Sequence, residues 1–172
     1  EHSYMAIKGY INIHCNRWIP SSIVVLIGKF SDAYNIAFMS ACSRNDVKMV
    51  NDFISIIPDK INIDDENIHG VTPVCVAASL NNNFELMRLL IKNGADTNKQ
   101  CGINGDTALY IACQCGNKLS VDLLLMLPWS NANIARRKDN ATPIMIATEN
   151  GYSDIVDVLL KSGADAFHRN KS

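Results

Sequence analysis

The fold is decided by three related stretches of sequence, Gly70-Val-Thr-Pro-Val-Cys-Val-Ala-Ala, Gly105-Asp-Thr-Ala-Leu-Tyr-Ile-Ala-Cys and Asn140-Ala-Thr-Pro-Ile-Met-Ile-Ala-Thr. Their threonines, Thr72, Thr107 and Thr142, fall 35 residues apart. A fixed period of this length is the signature of a repeat architecture, in which each unit buries its apolar face against the next unit along the chain. The sequence therefore predicts a stack of similar units.

Each unit has the pattern of a turn, two helices and a loop. Thr72 and Thr142 precede a proline and are suited to cap a short first helix, because a proline in the first turn costs no helical hydrogen bond. The second helix of each unit carries apolar residues at three- and four-residue spacing. Gly94 and Gly163 are predicted to end two of these helices in a left-handed turn. Pro58 and Pro128 stand at the equivalent place in two other units and predict different helix ends.

Composition narrows the class of protein. Of 172 residues, 48% are hydrophobic and 19% are charged, which excludes a disordered polyelectrolyte and favours a globular chain. A net charge of -1 provides no overall field for nucleic acid, so none is expected as a partner. The longest aliphatic run, 23–27, is too short to cross a membrane, and no membrane insertion is expected. The six cysteines have no zinc-site spacing, so no metal or cofactor is expected.

The three stretches, with Asn93-Gly-Ala-Asp and Ser162-Gly-Ala-Asp that follow two of the second helices, resemble the ankyrin repeat. A weaker unit begins near Ala41. The resemblance implies an all-α ankyrin-like helical repeat solenoid with β-turn fingers, formed by about four repeats at 34–66, 67–101, 102–136 and 137–168 within a domain of residues 34–172. Residues 1–33 match no motif and are interpreted as an N-terminal cap or the remnant of an upstream region.

The resemblance also implies that partners bind at the fingertips and at the exposed side of each first helix, on a concave face. The matching positions of this chain are Ser43, Arg44, Ile68, His69, Val71, Ser79, Leu80, Ile103, Asn104, Asp106, Gln114, Cys115, Lys138, Asp139, Ala141, Glu149 and Asn150. The apolar members, such as Ile68 and Ile103, suggest a protein-binding patch. The alternative is that they pack one finger against the next.

Three further features have a functional and a structural interpretation. Trp129 is either a binding anchor or a cover for a helix end. The basic run 136–138 either contacts phosphate or an acidic peptide, or is a solvated loop, and the solvated loop is favoured. The acidic run 59–66 could bind a basic partner, but it lacks the ligand pattern of a calcium loop.

The histidine that the family carries after its Thr-Pro-Leu sequence is replaced by Cys75, Tyr110 and Met145.

The sequence offers little for catalysis, because no nucleophile or base stands in a motif that would orient it. We expect no enzyme activity and a monomer that binds another protein. Two alternatives are a regulatory or targeting segment of a larger enzyme or channel, and a spacer. Cysteines that are expected to stay reduced favour an intracellular location, either cytoplasmic or nuclear, and a secreted effector is the alternative.

Overall fold

The computed structural model describes residues 31–80 and 84–169, with side chains from Tyr34 onward. Within these ranges the chain forms eight α-helices and one 3-10 helix, and no strand. The helices are α1 (Ser31–Ser43), α2 (Val47–Ile56), α3 (Pro73–Ser79), α4 (Phe84–Lys92), α5 (Ala108–Gln114), α6 (Lys118–Leu125), α7 (Pro143–Glu149) and α8 (Ser153–Lys161). The predicted all-α fold is confirmed, whereas most of the expected N-terminal cap lies outside the described residues.

The chain divides into two compact units, and the boundary between them in the sequence falls between Asn62 and Ile63. In the first unit α1 packs on α2, and the rings of Phe38 and Phe53 meet edge to face with centroids 6.1 Å apart. Asp46 caps α2, since its carboxylate accepts the N–H of Met49 at 3.0 Å. The helix pair predicted around Ala41 is therefore present.

In the second unit three helix pairs stack in two rows. The first helices α3, α5 and α7 contact one another in order, and so do the second helices α4, α6 and α8. Ala77, Ala112 and Ala147 lie at one position of the first helices and are fully buried. Their small side chains let neighbouring backbones approach closely, and this position is where the 35-residue pattern places them.

The starts of the first helices differ in part from the prediction. Pro73 and Pro143 do occupy the first turn of α3 and α7. The hydroxyls of Thr72 and Thr142, however, make no capping hydrogen bond, and the prediction of a side-chain cap there was wrong. At Thr142 the backbone carbonyl accepts the N–H of Met145 at 3.1 Å, which uses the donor that a cap would need. Thr107, which has no proline after it, caps α5 by accepting the N–H of Tyr110.

The ends of the second helices follow the prediction. Gly94 and Gly163 have φ of 91° and 84°, and the following alanine N–H returns to the helix in both cases. No such turn follows α6, which ends at Leu125. Around Pro128 the backbone N–H groups of Leu127 and Ser130 instead donate to the carbonyls three residues earlier. After α2 the chain forms a 3-10 helix, Pro58–Lys60. The two prolines therefore produce different exits, as expected.

A row of carboxylate and amide side chains joins each loop of the second unit to the next. Asp64 Oδ1 accepts the N–H of Asp96 at 2.9 Å, and Asn133 Oδ1 accepts the N–H of Asp165 at 2.7 Å. Between them Asn98 Oδ1 accepts from the N–H of 131 at 3.4 Å, and its amide donates to the carbonyl of Trp129 at 2.8 Å. These bonds cross the repeat boundaries and hold consecutive loops in register.

Candidate functional site

Three hairpin loops of the second unit carry most of the predicted contact positions, and we call them L1 (63–72), L2 (93–107) and L3 (126–142). Each is closed by a backbone bond at its neck. The N–H of Asn67 donates to Val71 O at 3.0 Å in L1, Cys101 and Asp106 exchange two bonds of 2.8 and 2.9 Å in L2, and the N–H of 136 donates to 141 O at 2.9 Å in L3. The predicted β-turn fingers are present at all three places.

Backbone hydrogen bonds also connect the three loops to one another. The N–H of Gly102 donates to the carbonyl of Gly70 at 2.6 Å, and the N–H of Lys138 donates to the carbonyl of Asn104 at 3.1 Å. Gly105 has φ of 71°, and a Cβ there would lie 2.5 Å from Nε of Arg137, so only glycine fits this close approach. The loop tips are therefore held by neighbours rather than free to move independently.

The side chains at the tips share one position but differ in chemistry. Ile68 and Ile103 are 94% and 98% exposed, and Lys138, 35 residues after Ile103, is exposed as well. Val71 agrees with the alternative in which apolar residues pack one finger against the next, because it is half-buried beside Gly102. It does not describe the two isoleucines, because almost none of their surface is covered.

Arg136 organises the base of L3. Its Nε donates to Asp139 Oδ1 at 2.7 Å and a second bond joins the same pair, while Asp106 Oδ1 lies 3.9 Å from Nη1. The guanidinium carbon stands 5.0 Å from the ring centroid of Tyr110, a cation–π distance. Tyr110 is buried, and its hydroxyl finds no hydrogen-bond partner among the described residues. The histidine position of the family thus holds an aromatic ring that supports a cation.

The charges at this cluster shift one another's ionisation. The hydrogen bond from Arg136 lowers the pKa of Asp139 to about 2. Burial raises the pKa of Asp106, against the opposing effect of the Arg136 charge. Burial also raises the pKa of Tyr110 to about 12. Asp139 is therefore ionised at neutral pH, and its negative charge is balanced by the ion pair with Arg136.

This geometry corrects the interpretation of the basic run as a solvated loop at Arg136 alone, because Arg137 and Lys138 are exposed. Only 19% of the Arg136 side chain is exposed, because it turns toward Tyr110 and the two aspartates. Arg137 is exposed, yet its Nη2 donates to the carbonyl of Gln100 at 3.0 Å. The three side chains do not form one patch: the first is structural, and the second and third line the tip of L3.

The ends of the first helices form the second part of the candidate surface. Ser79, Gln114, Cys115, Glu149 and Asn150 are exposed, and Leu80 is half-buried. The carbonyl of Leu80 accepts the amide of Asn117 at 2.7 Å, and the carbonyl of Gln114 accepts the amide of Asn150 at 3.1 Å. Asn150 therefore joins two repeats in addition to being accessible.

The remaining predicted positions differ in location and in exposure. Arg44 is exposed in the turn after α1, in the first unit, with its guanidinium 3.5 Å from the sulfur of Met49. Trp129 is 56% exposed in L3, and its backbone is tied to Asn98. Asn104, Asp106 and Asp139 are half-buried. His69 is exposed beside Ile68, and its backbone N–H donates to the Asn67 side chain at 2.9 Å.

The cysteines and the acidic run serve the packing. Cys113 is fully buried and Cys115 is exposed, so the two side chains point apart. Cys75 and Cys101 are both buried, and the influence of the Cys101 thiol together with burial raises the pKa of Cys75. In the acidic run Glu66 pairs with Lys99 at 3.0 Å. The described residues contain no group of three metal-binding side chains.

Sequence reasoning missed the side chains that connect repeats. Asn117 and Gln100 were not predicted to matter, yet Gln100 Nε2 donates both to Gly105 O within L2 and to Ala135 O in L3, at 3.2 and 2.8 Å. Neither belongs to the motif that reveals the repeat.

A family model described as ankyrin repeats (3 copies) matches residues 38–128 and 74–170. The chain belongs to the ankyrin repeat family, whose repeats are generally protein-interaction modules. Among the helices of the described residues, none is long and apolar enough to span a lipid bilayer.

Curated relatives are similar over different shares of the chain. An ankyrin repeat protein of fowlpox virus (strain NVSL) is 32% identical over 146 residues, which is 84% of this chain and 42% of the viral protein. Alpha-latrocrustotoxin-Lt1a of Latrodectus tredecimguttatus is 36% identical over 94 residues, 55% of this chain and 6% of the toxin. Ankyrin repeat, SAM and basic leucine zipper domain-containing protein 1 of Dasypus novemcinctus is 31% identical over 141 residues, 76% of this chain and 27% of that protein. The chain spans less than half the length of each.

Proposed function

We propose that this chain binds another protein, without catalysis, through the surface formed by the tips of L1 to L3 and the exposed ends of α3, α5 and α7. The observation that carries the proposal is the exposure of Ile68 and Ile103, at 94% and 98%, on loops that backbone bonds hold in place. An isolated exposed aliphatic residue needs no explanation, but two at the same position of consecutive repeats suggest a shared role.

The energetics favour a binding role for these tips. Burying one isoleucine side chain stabilises a complex by roughly 1.5–3 kcal/mol before other costs. Those costs are reduced when the loop that carries the residue is already ordered, since less conformational freedom is lost on association. The bonds from Gly102 to Gly70 and from Lys138 to Asn104 provide that order.

A second candidate is a regulatory or targeting segment within a larger protein. It is favoured by the lengths of the relatives, since the matched region is only 6% of the latrodectus toxin and 6% of an E3 ubiquitin-protein ligase of Arabidopsis thaliana, called KEG, that is 35% identical over 99 residues. In that case the same surface would bind a neighbouring domain of its own polypeptide. The sequence of the full-length gene product distinguishes the two.

The test is affinity capture from a matched lysate with the chain, with Leu80→Glu and with Ile103→Glu. Leu119→Glu is the matched control, because Leu119 is 61% exposed at the start of α6 in the second row of helices. We expect the proteins captured by the chain to be lost with the first two variants and kept with the third. Recovery of the same proteins with both test variants, at unchanged circular dichroism, would contradict the proposal.

A further inference from the structure

We propose that the partner element recognised by the loop tips is an amphipathic α-helix that carries two apolar side chains one heptad apart and a carboxylate one heptad further along. This inference rests on the proposed function and specifies the chemistry of its partner. It follows from the side chains that stand at one repeated position, Ile68, Ile103 and Lys138.

The spacing of the tips is set by the helices behind them. Helices that pack through small residues lie about 8–10 Å apart, and α3, α5 and α7 are such a row. The tips of L1, L2 and L3 stand at equivalent positions of these repeats, and backbone bonds connect each loop to the next. Three side chains are therefore presented in a line with one contact per repeat.

A helix matches this step better than an extended strand. One heptad of α-helix advances about 10.5 Å and returns the side chain to nearly the same face. A strand advances about 10 Å in three residues, but the third residue points to the opposite face. Of these two conformations, the helix is the one that places consecutive contacts on one side at the spacing of the repeats.

Charge sets the order of the contacts. The tip of L3 holds Arg137 and Lys138, both exposed, while the aspartate beside them, Asp139, is bound to Arg136. The tips of L1 and L2 present Ile68 and Ile103 instead. Two carboxylates near the tips have cationic partners: Glu66 pairs with Lys99, and Asp106 lies within 3.9 Å of Arg136. From L1 to L3 the tip side chains are therefore apolar, apolar and cationic, and a complementary partner presents apolar, apolar and acidic side chains in the same order.

The experiment uses synthetic helical peptides labelled for fluorescence anisotropy. The test peptide carries two leucines one heptad apart and a glutamate one heptad further on an alanine- and glutamine-rich background. One control replaces that glutamate by lysine, and a second places a proline at the centre to break the helix. With the unmodified chain we expect the glutamate peptide to bind about threefold to fivefold more tightly than the lysine peptide at low salt, and the proline peptide to lose at least half of the binding signal.

The decisive variant is Lys138→Glu, for which we expect the preference to reverse in favour of the lysine peptide. Ile68→Glu and Ile103→Glu should each weaken the glutamate peptide, whereas Leu119→Glu should not. Absence of binding, equal affinity for the two charged peptides, no reversal with Lys138→Glu, or full binding of the proline peptide would overturn this inference. If the peptides fail in this way but Ile103→Glu still abolishes capture of proteins from the lysate, the proposed function stands and only this inference is wrong. If neither Leu80→Glu nor Ile103→Glu changes the captured proteins, the proposed function itself is wrong.

Discussion

L2 and L3 have the same place in consecutive repeats and are closed by the same kind of backbone bond, yet their tips are supported differently. In L2 the tip is Ile103, which almost nothing covers, above two bonds between Cys101 and Asp106. In L3 the tip is Lys138, above Arg136, which is held by Asp139 and by the ring of Tyr110. The backbone is repeated while the side chains at the tip and beneath it are not.

The difference separates two roles. Residues that close the loops and pack the helices recur with the 35-residue period, because each repeat must fit the next. The tip side chains of Ile68 and Ile103 are almost fully exposed, so stability places little constraint on their identity and a partner can select them. Substitutions in the packed helices, at the base of L3 and at the tips should therefore differ in their effect on stability.

The largest effect is expected in the packed row of second helices. Leu124 is 1% exposed in α6, and Leu124→Ala should lower the free energy of unfolding by about 2–5 kcal/mol, because it removes buried surface and leaves a cavity. Urea denaturation followed by circular dichroism measures this. Ile103→Ala is the matched comparison, and a loss there as large as that of Leu124→Ala would end the distinction between core and tip.

Arg136→Gln should have an intermediate effect. It leaves the half-buried carboxylates of Asp106 and Asp139 without their cation, and we expect a loss of about 1–2 kcal/mol in the free energy of unfolding. Glu66→Gln breaks an ion pair whose side chains are 34% and 43% exposed, and it should cost less than about 1 kcal/mol. The same denaturation experiment compares them, and equal losses would show that Arg136 does not organise L3.

The pKa of Asp139 provides a local test of the same contact. Its folded pKa of about 2 lies below the ordinary carboxyl value, so the contribution of the ion pair to stability is present above that ordinary value and is lost as the pH falls toward about 2. In Arg136→Gln the pKa should rise toward the ordinary range. Carboxyl-carbon NMR titration of both proteins measures it, and an unchanged low pKa in the variant would show that Arg136 is not the cause.

The smallest effect on stability is expected at the tips. Ile68→Glu and Ile103→Glu together should change the free energy of unfolding by no more than about 0.5 kcal/mol, because surface substitutions that touch no packed group are nearly neutral. A loss above about 2 kcal/mol in urea denaturation would mean that the isoleucines support the loops and are not free for a partner.

The sequence predicted those features that repeat and missed those that do not. The 35-residue spacing of the threonines identified the helix pairs, and Gly94 and Gly163 identified two helix ends, because each has a local physical cause. The side chain of Arg136 could not be placed in advance, since its contacts with Tyr110 and Asp106 depend on how one repeat sits on the next. Thr142 did not cap α7 for a local reason: the first-turn donor, the N–H of Met145, is bonded to the backbone carbonyl of Thr142.

The positions predicted to bind a partner are placed by the structure on loop tips and helix ends, and their role remains a proposal. Sequence alone does not distinguish an exposed apolar residue of a loop from one that packs on the neighbouring loop, because the repeat pattern does not report burial. Val71 and Ile68 show this: three residues apart, one is half-buried against Gly102 and the other is 94% exposed. Only the coordinates separate them.

Hydrogen–deuterium exchange of the chain with and without a captured partner tests the central claim most directly. We expect added protection in peptides that cover 67–71, 101–106 and 136–141, together with the ends of α3, α5 and α7. The outer surfaces of α4, α6 and α8 should exchange at the rate of the free chain. Protection centred on those second helices, with the loop tips unchanged, would contradict the claim that this chain recognises its partner through its loop tips.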